Sequence, residues 1–222
     1  HLAGVQTGFD GGPTVAPPPG WEPDPAHTPV EAWAEAGVAA RRSWDRGRVR
    51  AELAAALAGH VARLQAVTDW SAPADGPIGR TTEDGLFGVR MFDVWVHLQD
   101  LRAALELPPE ADDTSDAARA AHGYVWGLVP WLFARRAGAQ EGATMRLALG
   151  APLHVDTVVE VSDGKGRLNP AADPGICSVT GSPAGLTLLA TGRRPPAALR
   201  ASGLLDWTGP RGAEFVERAR MF

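Results

Sequence analysis

The stretch that most narrows what this chain can fold into is 88–105, GVRMFDVWVHLQDLRAAL, whose apolar residues recur at helical spacing. At 100° per residue Asp93 and His97 share a face, with Arg90 one turn before Asp93 and Asp100 one turn after His97. Val89, Phe92 and Val96 flank this polar stripe on one side and Val94, Leu98, Leu101 and Leu105 on the other, while Gln99 and Arg102 fall on the far face. A solvated helix carries its charges opposite its apolar face, so this arrangement predicts a helix whose polar stripe points inward. Charges buried in that way cost several kcal/mol unless something pairs them.

A carboxylate and an imidazole one helical turn apart can reach a single ion the size of Zn²⁺, because their Cβ atoms sit side by side. A substrate group is another partner for the stripe. The plainer alternative is an Asp93–His97 hydrogen bond, with Arg90 and Asp100 completing an internal ion-pair network.

The 222 residues suffice for one large domain or two small ones, and 45% apolar against 21% charged residues describes a chain with a sizeable core. A net charge of −5, with ArgArg pairs as the only basic clusters, argues against nucleic acid as a partner. Cys177 is the single cysteine, which excludes an intramolecular disulfide and a cysteine-based zinc cluster and fits a reducing, cytoplasmic compartment. No apolar run approaches bilayer length, so no membrane association is expected.

Taken in order, HLAG at 1–4 reads as the end of a helix closed by Gly4, so a segment upstream is expected. Residues 5–29 are a Gly- and Pro-dense loop expected to fold over a site or to be poorly ordered. A helix from Thr28 or Pro29 to about Arg46 and another over 49–67 follow, the second with Leu53, Leu57, Leu64 and Val67 in a stripe that includes His60. A lone histidine there reads as a core residue before it reads as a ligand. The connection 70–83 is rich in Pro and Gly, Thr82 or Asp84 can cap the 88–105 helix, and Pro108 and Pro109 end it. A further helix over 115–138 is dense in aromatic residues, with a kink expected at Pro130 and with His122 open to either a packing or a functional role. To this point the pattern predicts an antiparallel bundle of about four helices.

After Gly142 the text turns to strands at 144–149, 155–161 and 176–180, with a turn at Asp163-Gly164. A short helix over 182–190 has Ser182 as its cap and Pro183 at its first position; a strand at 204–208 and a closing helix over 212–222 complete the chain. The expected fold class is therefore α plus α+β: a helical bundle over 1–140, then a small α+β domain over 141–222. Arg193-Arg194 after Gly192 reads either as an anion-binding corner for a carboxylate or sugar-phosphate group or, more simply, as a solvated helix end whose cations offset the dipole. Cys177, in a strand, reads as a small apolar residue rather than a nucleophile. The sequence holds no Gly-rich phosphate loop, nucleophile elbow or H-E-x-x-H.

At FDVWVHLQDLR, 92–102, the chain resembles the mycothiol-dependent maleylpyruvate isomerase family, part of the DinB-like group of metal-binding helical bundles. HLAG at 1–4 is similar to that family's first ligand segment, and LLATGRR at 188–194 together with 203–209 is similar to its sterol-carrier-like second domain. The resemblance implies a DinB-like four-helix bundle over 1–140, incomplete at its N-terminus, and a sterol-carrier-like domain over 141–222. It implies His1, Asp93 and His97 as ligands of zinc or another divalent metal, Arg90 and Asp100 as catalytic groups orienting ligands or substrate, and Arg193 and Arg194 at the cofactor. Asp93 stands where some members carry Glu.

The implied activity is that of an enzyme in which metal lowers the pKa of the mycothiol thiol. The thiolate adds to the double bond of maleylpyruvate, the resulting single bond rotates, and elimination releases the trans isomer; in relatives that are S-transferases the thiolate attacks an electrophile and stays attached. Partners would be a small electrophile and a low-molecular-weight thiol, with the protein a cytoplasmic monomer or homodimer. The alternatives are a metal-free binding protein for an apolar small molecule, in which the stripe is only a buried ion-pair network, and a stress-response bundle.

Overall fold

In a computed structural model of the chain, residues 4–5, 15–76, 79–109 and 114–221 are described. They contain both helices and two sheets, and the chain divides into two compact units, 1–86 and 87–222. The change from helix to strand at 138–142 lies inside the second unit. No helix among the described residues is long and apolar enough to cross a membrane.

In the first unit helix α1 spans Pro29–Ala39 and helix α2 Arg46–Gln65. Thr28 caps α1 in a capping box: its hydroxyl accepts from the Glu31 amide at 3.3 Å and the Glu31 carboxylate accepts from the Thr28 amide at 2.7 Å. The expected run of α1 to Arg46 stops at Ala39, and Asp45 caps α2 by accepting from the Arg48 amide at 2.9 Å. Arg41, between the helices, spans to Glu52 with two hydrogen bonds of 2.6 Å. Helix α2 buries no residue, and Leu57 of its apolar stripe is exposed. The stretch expected as a plain connection contains a hairpin, β1 (Pro73–Gly76) paired antiparallel with β2 (Gly79–Thr82).

Helix α3, Glu83–Ala104, starts before the first apolar repeat because Thr82 Oγ1 accepts from the Gly85 amide at 3.1 Å and Glu83 and Asp84 lie in its first, electropositive turn. In the second unit helix α4 runs Asp116–Trp131 from a Ser115 cap. Pro130 does not break it. Lacking an N–H, Pro130 omits one helical hydrogen bond, but the Leu132 amide still reaches Leu128 O, and the chain continues as a π-helical turn over Leu132–Arg136 in which the Ala137 amide reaches Leu132 O at 2.8 Å.

Five strands form one sheet in the order β5-β4-β3-β6-β7: β3 Thr144–Leu149, β4 Val155–Ser162, β5 Lys165–Leu168, β6 Ser178–Gly181 and β7 Leu205–Thr208. Only β3 and β6 are parallel. The β4–β5 turn has φ of 54° at Asp163 and 69° at Gly164, the signature of a two-residue hairpin whose twist matches the strands. Strand β5, not expected from the sequence, passes so close under α4 that a Cβ on Gly166 would lie 1.9 Å from Pro130 O.

Helix α5, Pro183–Ala190, is buried along its whole length, which is why it reads as apolar on every side. Helix α6, Pro196–Ala201, and helix α7, Gly209–Arg218, follow, and Phe133 meets Phe215 in the core with ring centroids 6.4 Å apart. Met145, Leu147, Val159, Val179 and Leu189 fill the space between sheet and helices.

Candidate active site on helix α3

Helix α3 docks on α4 through aromatic pairs. Phe92 meets Tyr124 with centroids 5.1 Å apart, and Trp95 meets His122 edge-on at 4.5 Å. This docking selects the buried face. Phe92, Trp95, Val96 and Gln99 point in, Gln99 being 5% exposed, whereas Leu98, Leu101 and Leu105 are exposed, Leu101 to 61%. The expected orientation, polar stripe inward and Gln99 solvated, is corrected accordingly: large rings on two facing helices bury more area than the leucine flank. The stripe lies at the edge of the buried face, with side-chain exposure rising from 3% at Arg90 through 21% at Asp93 and 30% at His97 to 42% at Asp100.

Along that stripe the polar side chains touch one another in turn. Arg90 Nη1 donates to Asp93 Oδ2. Asp93 Oδ1 lies 3.4 Å from His97 Nε2, and His97 Nδ1 lies 3.0 Å from Asp100 Oδ2. Arg193 closes the line from the turn after α5, donating from Nε to Asp100 Oδ1 at 2.7 Å and from Nη2 to Oδ2 at 2.8 Å. That turn is held by Leu188 O, which accepts from the amides of both Arg193 (3.0 Å) and Arg194 (3.3 Å), with Gly192 at φ 69°.

Burial raises the pKa of the Asp100 carboxyl, and the hydrogen bonds and charge of Arg193, with His97 behind them, outweigh that effect and hold it below the ordinary aspartate range. An ionised Asp100 accepts only, so His97 Nδ1 carries the proton of that hydrogen bond, and in the neutral tautomer Nε2 is left as the lone-pair atom facing Asp93.

Two ligands at the zinc distances of about 2.0–2.2 Å and tetrahedral angle stand about 3.3–3.5 Å apart. The 3.4 Å between Asp93 Oδ1 and His97 Nε2 has that length, and it equally describes a long ion pair. The remaining atoms of both side chains are tied elsewhere, to Arg90 and Asp100, as metal ligands commonly are. Among the described residues no group of three His, Cys, Asp or Glu side chains is disposed to hold a metal ion. His1 lies outside the described residues.

A cavity of about 60 Å³ opens beside Asp100, lined by Gln99, Asp100, Leu107, Leu188, Arg193 and Arg194 among others. The sequence reading put Gln99 on the far face, although its spacing from Phe92 and Val96, i+7 and i+3, is that of one buried face. His122 is not among the residues that line this cavity: it is buried, with Nδ1 2.9 Å from Thr187 Oγ1, which itself donates to Pro183 O at 3.0 Å. His60 is half-buried on α2 in the first unit, and Cys177 is half-buried just before β6.

No family model and no curated protein matches the chain. Among solved structures, it is similar to crystal structures of the mycothiol-dependent maleylpyruvate isomerase and of a histidine-to-alanine mutant of it. Each stands at 22% identity with a TM-score of 0.44, covering 87% of this chain and 68% of that one.

Proposed function

We propose that this chain is a metal- and thiol-dependent enzyme of the mycothiol-dependent maleylpyruvate isomerase type, with His1, Asp93 and His97 holding zinc or another divalent ion. The observation that carries the reading is the 3.4 Å spacing of Asp93 Oδ1 and His97 Nε2 on one turn of α3, with each side chain pinned at its far end. A bound divalent ion supplies the Lewis acidity that converts the thiol of mycothiol to a thiolate at neutral pH, ready to add to a cis double bond or to displace a leaving group.

The protein's own groups prepare that chemistry. Arg90, almost wholly buried, ties down Asp93 Oδ2 and leaves Oδ1 as the ligand atom. Asp100 holds the Nδ1 proton of His97, which presents Nε2 as a donor of its lone pair, and Arg193 keeps Asp100 ionised so that it can do so. Arg193 is thus the contribution to the site of the sterol-carrier-like module, 141–222, and the helix comes from the DinB-like metal-binding module, 1–140. The substrate is a small electrophile, converted by isomerisation or S-transfer, in a cytoplasmic monomer or homodimer.

A second reading has its own support. The line Arg90–Asp93–His97–Asp100–Arg193 satisfies its charges internally, which suits a metal-free ligand-binding protein whose stripe is structural. Elemental analysis of the purified full chain, wild type beside Asp93→Ala, separates the two. One equivalent of zinc that disappears in the variant supports the enzyme and directs assays to maleylpyruvate and other electrophiles with mycothiol; no metal in either folded protein selects the structural network.

A further inference from the structure

We propose that the first unit carries a binding site for a small organic cation, a primary ammonium on a short apolar body, in the cavity where the end of α2 meets the start of α3. The inference goes beyond the reaction proposed for the α3 stripe and does not depend on it, since every residue that lines this cavity lies within 1–86.

The cavity has a volume of about 340 Å³, at the lower end of the roughly 300–1,000 Å³ of small-molecule sites. Small apolar side chains wall it where Ala66 and Val67 follow α2 and where Ala72 leads into β1. Arg63 and Glu83, which also line it, form an ion pair with Nη2 2.5 Å from Oε2, so that α2 and α3 are tied together at this wall.

Charge selects the sign of the occupant. The lining carries two carboxylates against one guanidinium, and Arg63 already answers Glu83. Asp69 has no ionic partner among the described residues. The Ser71 hydroxyl and amide both donate to its Oδ1, at 2.6 and 2.9 Å, which holds the carboxyl below the usual aspartate range and leaves Oδ2 for a further donor. Ala66 caps the C-terminal, partially negative end of α2. An anion finds no donors in exchange: the amides of Ala66, Val67, Ala72 and Glu83 are spent on Arg63 O, Leu64 O, Asp69 O and Ala72 O at 3.0, 3.2, 3.2 and 3.0 Å.

A primary ammonium suits this lining. It brings three N–H donors, and Asp69 Oδ2, the Thr68 hydroxyl and the second oxygen of Glu83 supply acceptors for them, while Ala66, Val67 and Ala72 cover the attached carbons. A bare metal ion fits less well. One of the two carboxylates is held by Arg63, and among the described residues no group of three His, Cys, Asp or Glu side chains is disposed to hold a metal.

The test is titration of the full chain with phenethylammonium chloride, followed by backbone amide NMR shifts, with 2-phenylethanol as the neutral isostere and 3-phenylpropionate as the anion. The expected result is saturable binding whose shifts cluster on 66–72 and Glu83, tighter than that of 2-phenylethanol by about fivefold, the upper scale of one exposed ion pair. The preference should vanish in Asp69→Asn and at high salt, and persist in Asp156→Asn, which removes a carboxylate of the second unit paired with Arg146. Equal binding of the alcohol or the anion, shifts scattered over the surface, unchanged affinity in folded Asp69→Asn, or no binding overturns the proposal. If Asp69→Asn fails to fold, Ala66→Arg decides: at this exposed position it puts a cation into the same cavity and should abolish binding, and binding that survives it overturns the proposal as well.

Discussion

Arg193 and Asp100 stand 93 residues apart in the chain, and the guanidinium meets the carboxylate edge to edge, Nε to Oδ1 at 2.7 Å and Nη2 to Oδ2 at 2.8 Å. The same carboxylate holds His97 at 3.0 Å, so the orientation of an imidazole on α3 depends on a turn that follows α5. Replacing Arg193 with Met should lower stability by about 1 kcal/mol, the scale of a bidentate charge-assisted pair reduced by its partial exposure. For a chain of this size that is a fall in Tm of about 2–4 °C. In a thermal-denaturation cycle with Asp100→Asn the two losses should be less than additive; strict additivity would mean that the pair does not couple.

The pH dependence of that pair follows from the lowered pKa of Asp100. A carboxyl whose pKa is lower folded than unfolded contributes stability that is fully present above its unfolded value, about 3.9, and is lost as pH falls through the folded value. The stability difference between wild type and Arg193→Met should therefore be the same at pH 7 and pH 5.5 and shrink below about pH 4. Urea unfolding at pH 7, 5.5 and 3.5 measures it, and a difference already lost at pH 5.5 would contradict the lowered pKa.

Arg90→Ala removes the cation that ties down Asp93 Oδ2. With Asp93 one-fifth exposed the cost should be about 1–3 kcal/mol, the penalty of leaving a partly buried charge without that partner. If Asp93 and His97 bind metal, Arg90→Ala should keep the metal stoichiometry and lower kcat/KM, whereas His97→Ala should lose metal and turnover together while remaining folded. Retained stoichiometry in His97→Ala removes His97 from the ligand set.

Thr187→Val takes away the hydroxyl that lies between His122 Nδ1 and Pro183 O in the core. With both side chains almost fully buried the expected loss is about 1–3 kcal/mol with no change in metal content. Equal stability of the variant in urea would show that His122 is satisfied without it.

Gly166→Ala places a methyl group 1.9 Å from Pro130 O, where the edge strand β5 passes under α4. Backbone on both sides must move, at a cost of about 1–3 kcal/mol. Chemical denaturation is the check, and a neutral result would mean that β5 and α4 separate easily.

The local features were legible in the sequence because they depend only on nearest neighbours. The helix start at Thr28-Pro29, Ser182 with Pro183, the Asp163-Gly164 turn and strand 144–149 all stand where their residue types predict, since caps and tight turns are set within four residues. The Arg90–Asp93–His97–Asp100 stripe is of the same kind: once 83–104 is helical, i+3 and i+4 spacing brings these side chains together whatever surrounds them. The β1–β2 hairpin and β5 carry no such signal, being four-residue strands rich in Gly and charged residues that hold their shape through pairing.

The face of α3 that is buried was decided by tertiary structure. Its two apolar flanks are nearly matched in sequence, and the aromatic surface of α4, with Tyr124 and His122, selected Phe92 and Trp95 over Leu98 and Leu101. The same docking buried Gln99 and left the polar stripe at the rim, and a distant turn put Arg193 against Asp100 beside its helix neighbour His97. Helical periodicity determines which side chains share a face, but contacts between distant segments depend on how whole surfaces pack, and that information is spread over many residues instead of residing in any short motif.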